Sequence, residues 1–233
     1  MIYLSFGDIS DEIGVIVSPI LKLLVLAVMV VFEILLFRKY RTKKTIFVSL
    51  LIVAFFFYMI SPLFASMDQI LDWRNFPATN TWFGSGLAFL MSAFGNVAFY
   101  SFILEVFYTD ALSAKTRRSR VMIIAIIEIG LTSVFLGMRL VQNSLNVVFV
   151  LLHMLVSLYI YFLLFINSMK TLRHATDIVA RKRFRSMEIS ALFMIAVMLF
   201  FAIDSLSSGY TIYSWIGWLC YIGADYFIYN SYI

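Results

Sequence analysis

Charge and cysteine are scarce in this chain of 233 residues. Charged residues make up 13% of it, against about 25% in an ordinary soluble domain, which excludes a water-facing surface over most of the molecule. The single cysteine, Cys220, excludes an intrachain disulfide. Histidine occurs only at His153 and His174, so a zinc site would have to be built mostly from carboxylates, and no metal site or cofactor is expected. There is no Gly/Ser linker, no low-complexity tract and no phosphate-cradling glycine loop. The chain therefore reads as one domain over 1–233.

What it has instead is apolar length. Hydrophobic residues make up 63%, with 24 Phe and 13 Tyr, a composition suited to lipid-facing surfaces and interfacial aromatic belts. Seven apolar runs follow one another, each about 20 residues, enough for a helix to cross the ~30 Å hydrocarbon core of a bilayer. The runs predict helices at Ile13–Phe37, Thr45–Met67, Trp82–Tyr108, Val121–Leu140, Val147–Asn167, Ile189–Leu206 and Tyr213–Tyr232. The fold class is an all-α integral membrane protein, a seven-transmembrane-helix bundle expected in the plasma membrane. The start, MIYLSFGDISDEIG, lacks a basic region and holds Asp8, Asp11 and Glu12, so the first run is expected to stay as an anchor. Gln142-Asn143-Ser144 and Ser207-Ser208-Gly209 are short links that predict antiparallel neighbours.

Basic residues set the expected orientation. All of the 18 Lys and Arg except Lys22, Arg74 and Arg139 fall in the first, third and fifth connections. The positive-inside rule then places the N-terminus outside and the C-terminus in the cytoplasm. This distribution accounts for the net charge of +5 without nucleic acid; the cations meet anionic headgroups, at about 1 kcal/mol each near the surface. Met169–Arg185 can be read as a continuation of helix five into the cytoplasm. Lys170, Arg173, Asp177, Arg181 and Arg185 would then share a face, and Arg173, Arg181 and Arg185 are the candidates for contact with a cytoplasmic partner or lipid headgroups.

Ionisable groups inside spans cost roughly 2.5–3.5 kcal/mol each on insertion scales, so they are the first functional candidates. Lys22 and Glu33 lie near the ends of helix one, where snorkelling is expected. Glu105 sits near Lys115–Arg120 and reads as half of a structural ion pair. Glu128 lies near the middle of helix four and must face protein or water, while Gly130, Ser133 and Gly137 on a second face offer close helix contact. Helix seven carries a stripe of Ser214, Trp218, Tyr221, Asp225 and Tyr229. Helix five carries His153, Ser157, Tyr161 and Ser168, and helix three Ser85, Ser92 and Asn96. Converging stripes would line a central polar cavity, with Asp225, Glu128, His153, Tyr221, Trp218 and Asn96 as the lining residues. Interhelical hydrogen bonding without a ligand is the competing account.

Familiar chemistries fail on specific residues. No lysine stands in helix seven for a retinal Schiff base, and the sequence triplets and Pro-containing motifs of animal G-protein-coupled receptors are absent. Asp204 and Asp225 fall at different depths, about 16 Å apart along the normal, whereas a proton-sharing aspartyl dyad needs about 3 Å. Gly84-Ser85-Gly86 lacks a histidine in helix six to act as its base, and Pro19 and Pro62 are not followed by the glutamine of small sugar transporters. No enzyme is expected.

Trp82 opening helix three, the run FYSFILEVFYTD, the basic RKRFR before helix six and the aromatic last span resemble prokaryotic seven-helix sensor domains. In that family the membrane unit precedes a histidine kinase or cyclase output domain. The chain ends at Ile233 without one, so the resemblance implies signalling through a separate cytoplasmic partner. The expected function is that of a receptor-like, sensory membrane protein. A small molecule or lipid in the cavity biases helix packing and alters the cytoplasmic face. The alternatives are a small-solute or ion transporter or channel, proton-coupled through Glu128 and Asp225, and a structural subunit of a membrane complex.

Overall fold

The computed structural model describes residues 11–42, 44–73, 82–139, 146–206 and 212–231. Among them the chain forms seven α-helices: α1 (Asp11–Thr42), α2 (Ile46–Trp73), α3 (Trp82–Tyr108), α4 (Ala114–Arg139), α5 (Asn146–His174), α6 (Ile178–Leu206) and α7 (Ile212–Asn230). Six of these, α1 to α6, contain stretches long and apolar enough to cross a membrane. They fit a membrane-embedded chain. α7 is not among the six. Its 19 residues span about 28 Å at 1.5 Å per residue, so length is not the obstacle; Tyr213, Ser214, Tyr221, Asp225, Tyr226 and Tyr229 dilute its hydropathy.

Each helix packs on the next in sequence, α7 returns to α1, and α3 also reaches α5 across the middle. The distribution of side chains is that of a protein solvated by lipid. Ile126, Leu155, Ile34 and Leu199 lie exposed on the outside, whereas Asn96, Glu128, His153, Ser157 and Asp225 are buried. With no aqueous exterior to drive apolar groups inward, packing and interhelical hydrogen bonds hold such a bundle together. Ser61 Oγ donates to Ala88 O at 2.9 Å (α2 to α3), Ser190 Oγ to Ala224 O at 2.8 Å (α6 to α7), and Tyr108 OH to Asn167 Oδ1 at 3.1 Å (α3 to α5).

Five helix ends lie farther out than hydropathy predicts. α4 starts at Ala114 instead of Val121, and α6 at Ile178 instead of Ile189. Apolar length stops where charge begins, but Lys and Arg are good helix formers, so the helices continue through both basic stretches. Local capping sets the true starts: Ser113 Oγ accepts the Thr116 N–H at 3.2 Å, and Asp177 Oδ2 accepts that of Ala180 at 2.9 Å. α1, α2 and α5 likewise run on to Thr42, Trp73 and His174.

Three expectations are corrected. Met169–Arg185 is not one helix: α5 ends at His174, and α6 begins after Ala175-Thr176-Asp177. Arg173 therefore belongs to α5, and Arg181 and Arg185 to α6. Arg181 Nε donates to Ala175 O at 2.7 Å across this turn, while Asp177 serves the next helix as its cap. Lys22 does not snorkel; it is 9% exposed, donates to Ala65 O at 3.4 Å and lies 5.9 Å over the ring of Trp218. Gly130 and Gly137 face open space, with nothing within 4 Å of an added Cβ, so this face of α4 makes no close helix contact among the described residues. Glu105 does form its ion pair, with Arg117 Nε 3.0 Å from Oε1. The two short links at 142–144 and 207–209, and Arg74, lie outside the described residues, as does the side chain of Ser85.

Candidate functional site: a buried polar network

Glu128 and Asn96 are the centre of the site, and both are 0% exposed. Asn96 projects from the middle of α3, where Gly95 beside it lets a neighbouring ring come close. A Cβ on Gly95 would stand 2.6 Å from two ring carbons of Tyr58. The missing side chain thus admits Tyr58 of α2 against α3, and its hydroxyl donates to Asn96 Oδ1 at 2.7 Å. Tyr161 of α5 donates to the same oxygen at 3.2 Å, and the two phenols are 3.3 Å apart.

The other end of the Asn96 amide faces α4 and α5. Nδ2 donates to Glu128 Oε1 at 2.7 Å and to Ser157 Oγ at 2.8 Å. Glu128 Oε2 lies 2.6 Å from His153 Nδ1, a separation typical of a strong, charge-assisted bond. His153 Nε2 is 3.3 Å from Ser92 Oγ, and Phe89 meets the imidazole edge-on with centroids 5.5 Å apart. The i, i+4 spacing of Ser92 and Asn96 on α3, and of His153, Ser157 and Tyr161 on α5, turns each set to one face. The bonds made by Asn96 and Glu128 join α2, α3, α4 and α5. Each carboxylate oxygen of Glu128 has a donor, which is what allows a carboxylate in a dry interior at all.

His153 also borders a cavity of ≈ 10 Å³, walled by Phe89, Thr132, Phe135 and Phe149. That is room for about one water. Thr132 Oγ1 is turned to its own helix and donates to Glu128 O at 2.7 Å, so His153 supplies the polar edge of the cavity.

α7 stands beside this network without bonding to it. Tyr221 is buried with its ring edge-on to Tyr58, centroids 6.2 Å apart. Trp218 packs on Tyr221 and Phe201 instead of on the polar groups. Asp225 is 0% exposed, and neither carboxylate oxygen has a hydrogen-bond partner among the described residues. Its electrostatic neighbours are Tyr221, one turn away on α7, and Tyr161 of α5. Tyr229 stacks on Phe32 of α1, centroids 5.3 Å apart. Ser168 of the α5 stripe has no hydrogen-bond partner among the described residues.

Of the six residues expected around a centre, Asn96, Glu128 and His153 are directly bonded; Tyr221 packs on Tyr58 at the edge of the network; Asp225 is one turn beyond it on α7, and Trp218 packs on Tyr221 from the other side. Sequence reasoning missed Tyr58. In the run Phe55-Phe56-Phe57-Tyr58 it resembles one more lipid-facing aromatic, and the signal that would have found it is Gly95 on another helix. No group of three or more His, Cys, Asp or Glu able to hold a metal occurs among the described residues. No family model, curated protein or solved structure matches this chain.

Proposed function

We propose that this protein is a receptor-like, seven-helix membrane sensor, with α7 as its seventh span, its N-terminus outside and its basic turns in the cytoplasm. The observation that carries the reading is the continuity from the cavity at His153 through Glu128 and Asn96 to Tyr58 and Tyr161. Anything that alters His153 or Glu128 changes hydrogen bonds on four helices at once. A signal of that kind leaves through helix ends, and the exposed cations near the α3–α4 and α5–α6 turns, Arg173, Arg181 and Arg185 among them, present a surface for a separate cytoplasmic partner or for anionic headgroups.

One chemical detail favours sensing over proton transport. A hydrogen-bonded proton wire needs groups that accept and release protons in turn, as hydroxyls and carboxyls do. The amide of Asn96 stands between Glu128 and the two phenols, and it neither accepts a proton readily on nitrogen nor gives one up. The transporter reading draws support from Asp225 alone, a buried carboxyl of the kind that marks ion pathways.

The test uses spin labels at the exposed positions Thr116 on α4 and Val179 on α6, with the protein in lipid nanodiscs. Glu128→Gln is expected to shift the distance distribution between them; an unchanged distribution removes the sensor reading. In proteoliposomes no proton flux above empty vesicles is expected. Flux that disappears in Asp225→Asn would establish the transporter instead.

A further inference from the structure

We infer that Glu128 and His153 form a proton-binding site, and that rotation of the Asn96 amide reports its occupancy to Asp225 on α7. The inference deepens the sensor reading by naming the proton as a ligand of the site, while its chemistry stands without any partner protein.

The hydrogen-bond inventory carries it. With Glu128 ionised, each group has a fixed role: the Asn96 amide nitrogen donates to Glu128 Oε1 and Ser157, and its oxygen accepts from Tyr58 and Tyr161. A proton added to Oε1 turns that acceptor into a donor facing another donor across 2.7 Å. The cost of two opposed donors in a buried site is removed by a half-turn of the amide about its Cβ–Cγ bond. The Asn96 oxygen then accepts from Glu128 and from the Ser157 hydroxyl, which leaves His153 O. The nitrogen donates to the oxygens of Tyr58 and Tyr161. No covalent bond changes except the new O–H on Glu128, and the proton comes from solvent.

The half-turn frees two phenolic hydrogens: that of Tyr58 turns to the Tyr161 oxygen, 3.3 Å away, and that of Tyr161 must find a new acceptor. Asp225 supplies two unpartnered oxygens in the same interior, on the α7 side of Tyr161 and Tyr221. Tyr161 donating to Asp225 satisfies both groups. It also closes a gap that now exceeds hydrogen-bonding distance, drawing α7 towards α5. The alternative place for the incoming proton, His153 Nε2, offers a single contact at 3.3 Å to Ser92 Oγ, a weaker bond than the one at Oε1.

Several charged or titratable groups surround the two carboxyls, among them Glu33 of α1, whose Oε2 is buried without a partner among the described residues, and Tyr229 of α7, which stacks on Phe32 beside it. Tyr58 faces Glu128 from α2, and His153 and Tyr161 from α5. Tyr221 adjoins Asp225 on α7 itself. On α1, Lys22 lies over Trp218, two turns of α7 from Asp225. α6 contributes Ser190, already committed to Ala224 O.

The test is infrared difference spectroscopy of the whole protein in nanodiscs, titrated from neutral to acid. The expected result is a carboxylic C=O band that appears with one midpoint and is absent in Glu128→Gln. A shift of the Asp225 carboxyl C=O band, identified by its loss in Asp225→Asn, should share that midpoint. Tyr161→Phe, which removes one hydroxyl from an otherwise retained ring, should keep the Glu128 band and lose the Asp225 response. An imidazolium signal without a carboxylic band would overturn the inference, as would an Asp225 response that survives in Tyr161→Phe. These readouts lie in the interior, so failure here leaves the spin-label test of sensing standing, and the reverse holds.

Discussion

At the scale of residues, the centre of the molecule depends on a glycine and on the hydrogen-bonded pair of Glu128 and His153. Gly95 is required because Tyr58 occupies the space where any Cβ would be. Gly95→Ala is expected to push the Tyr58 ring off Asn96 and to cost about 1–3 kcal/mol, the usual range for an overpacked site. Denaturation in a mild detergent measures it, and a variant as stable as the parent would show that Tyr58 moves freely. His153→Leu leaves the Glu128 carboxylate with Asn96 as its remaining donor in a dry interior, a loss of about 3–5 kcal/mol. The double variant Glu128→Leu/His153→Leu removes the buried carboxylate together with its partner and should be nearer the parent in stability than the single one. If the double variant is the worse of the two, the pair contributes more by its bonds than it costs in desolvation.

At the scale of elements, the helices were readable and their ends were not. Apolar runs located all seven helices, six of them long and apolar enough to cross a membrane, yet α4 and α6 begin in basic stretches that hydropathy discards. Caps decide those ends. Asp177→Ala removes the acceptor for the Ala180 N–H and should cost about 1 kcal/mol locally. Amide hydrogen exchange in the first turn of α6 is expected to quicken, with the middle of α6 unchanged; protection at Ala180 equal to the parent's would show that Asp177 is not the cap that matters. The polar stripes on α3 and α5 were also readable, since i, i+4 spacing puts Ser92 with Asn96 and His153 with Ser157 and Tyr161 on one face each. What each stripe meets was not. Gly130, Ser133 and Gly137 form an equally regular face on α4, and the two glycines meet open space.

At the scale of the whole molecule, a mainly apolar core encloses a small polar network, and the exterior is apolar too, unlike that of a soluble bundle. Orientation is testable through the scarcity of cysteine. In a Cys220→Ser background, Ser113→Cys in the α3–α4 turn and Thr176→Cys in the α5–α6 turn should both resist a membrane-impermeant maleimide on intact cells. Asn75→Cys should react. Labelling at 113 and 176 with protection at 75 would reverse the proposed topology.

Composition by itself determined that the chain is helical and apolar enough for lipid, because scarce charge and repeated 20-residue runs admit few other folds. Spacing nominated Asn96, Glu128 and His153, since a costly buried polar group has to face protein wherever it is placed. Only the tertiary structure decided that these three bond directly, that Tyr58 completes them, that Lys22 is held inward, and that Asp225 is buried beside the network without joining it. The physical reason is that periodicity fixes the angle of a side chain about its own helix, whereas a hydrogen bond depends on the depth, rotation and distance of two helices relative to each other.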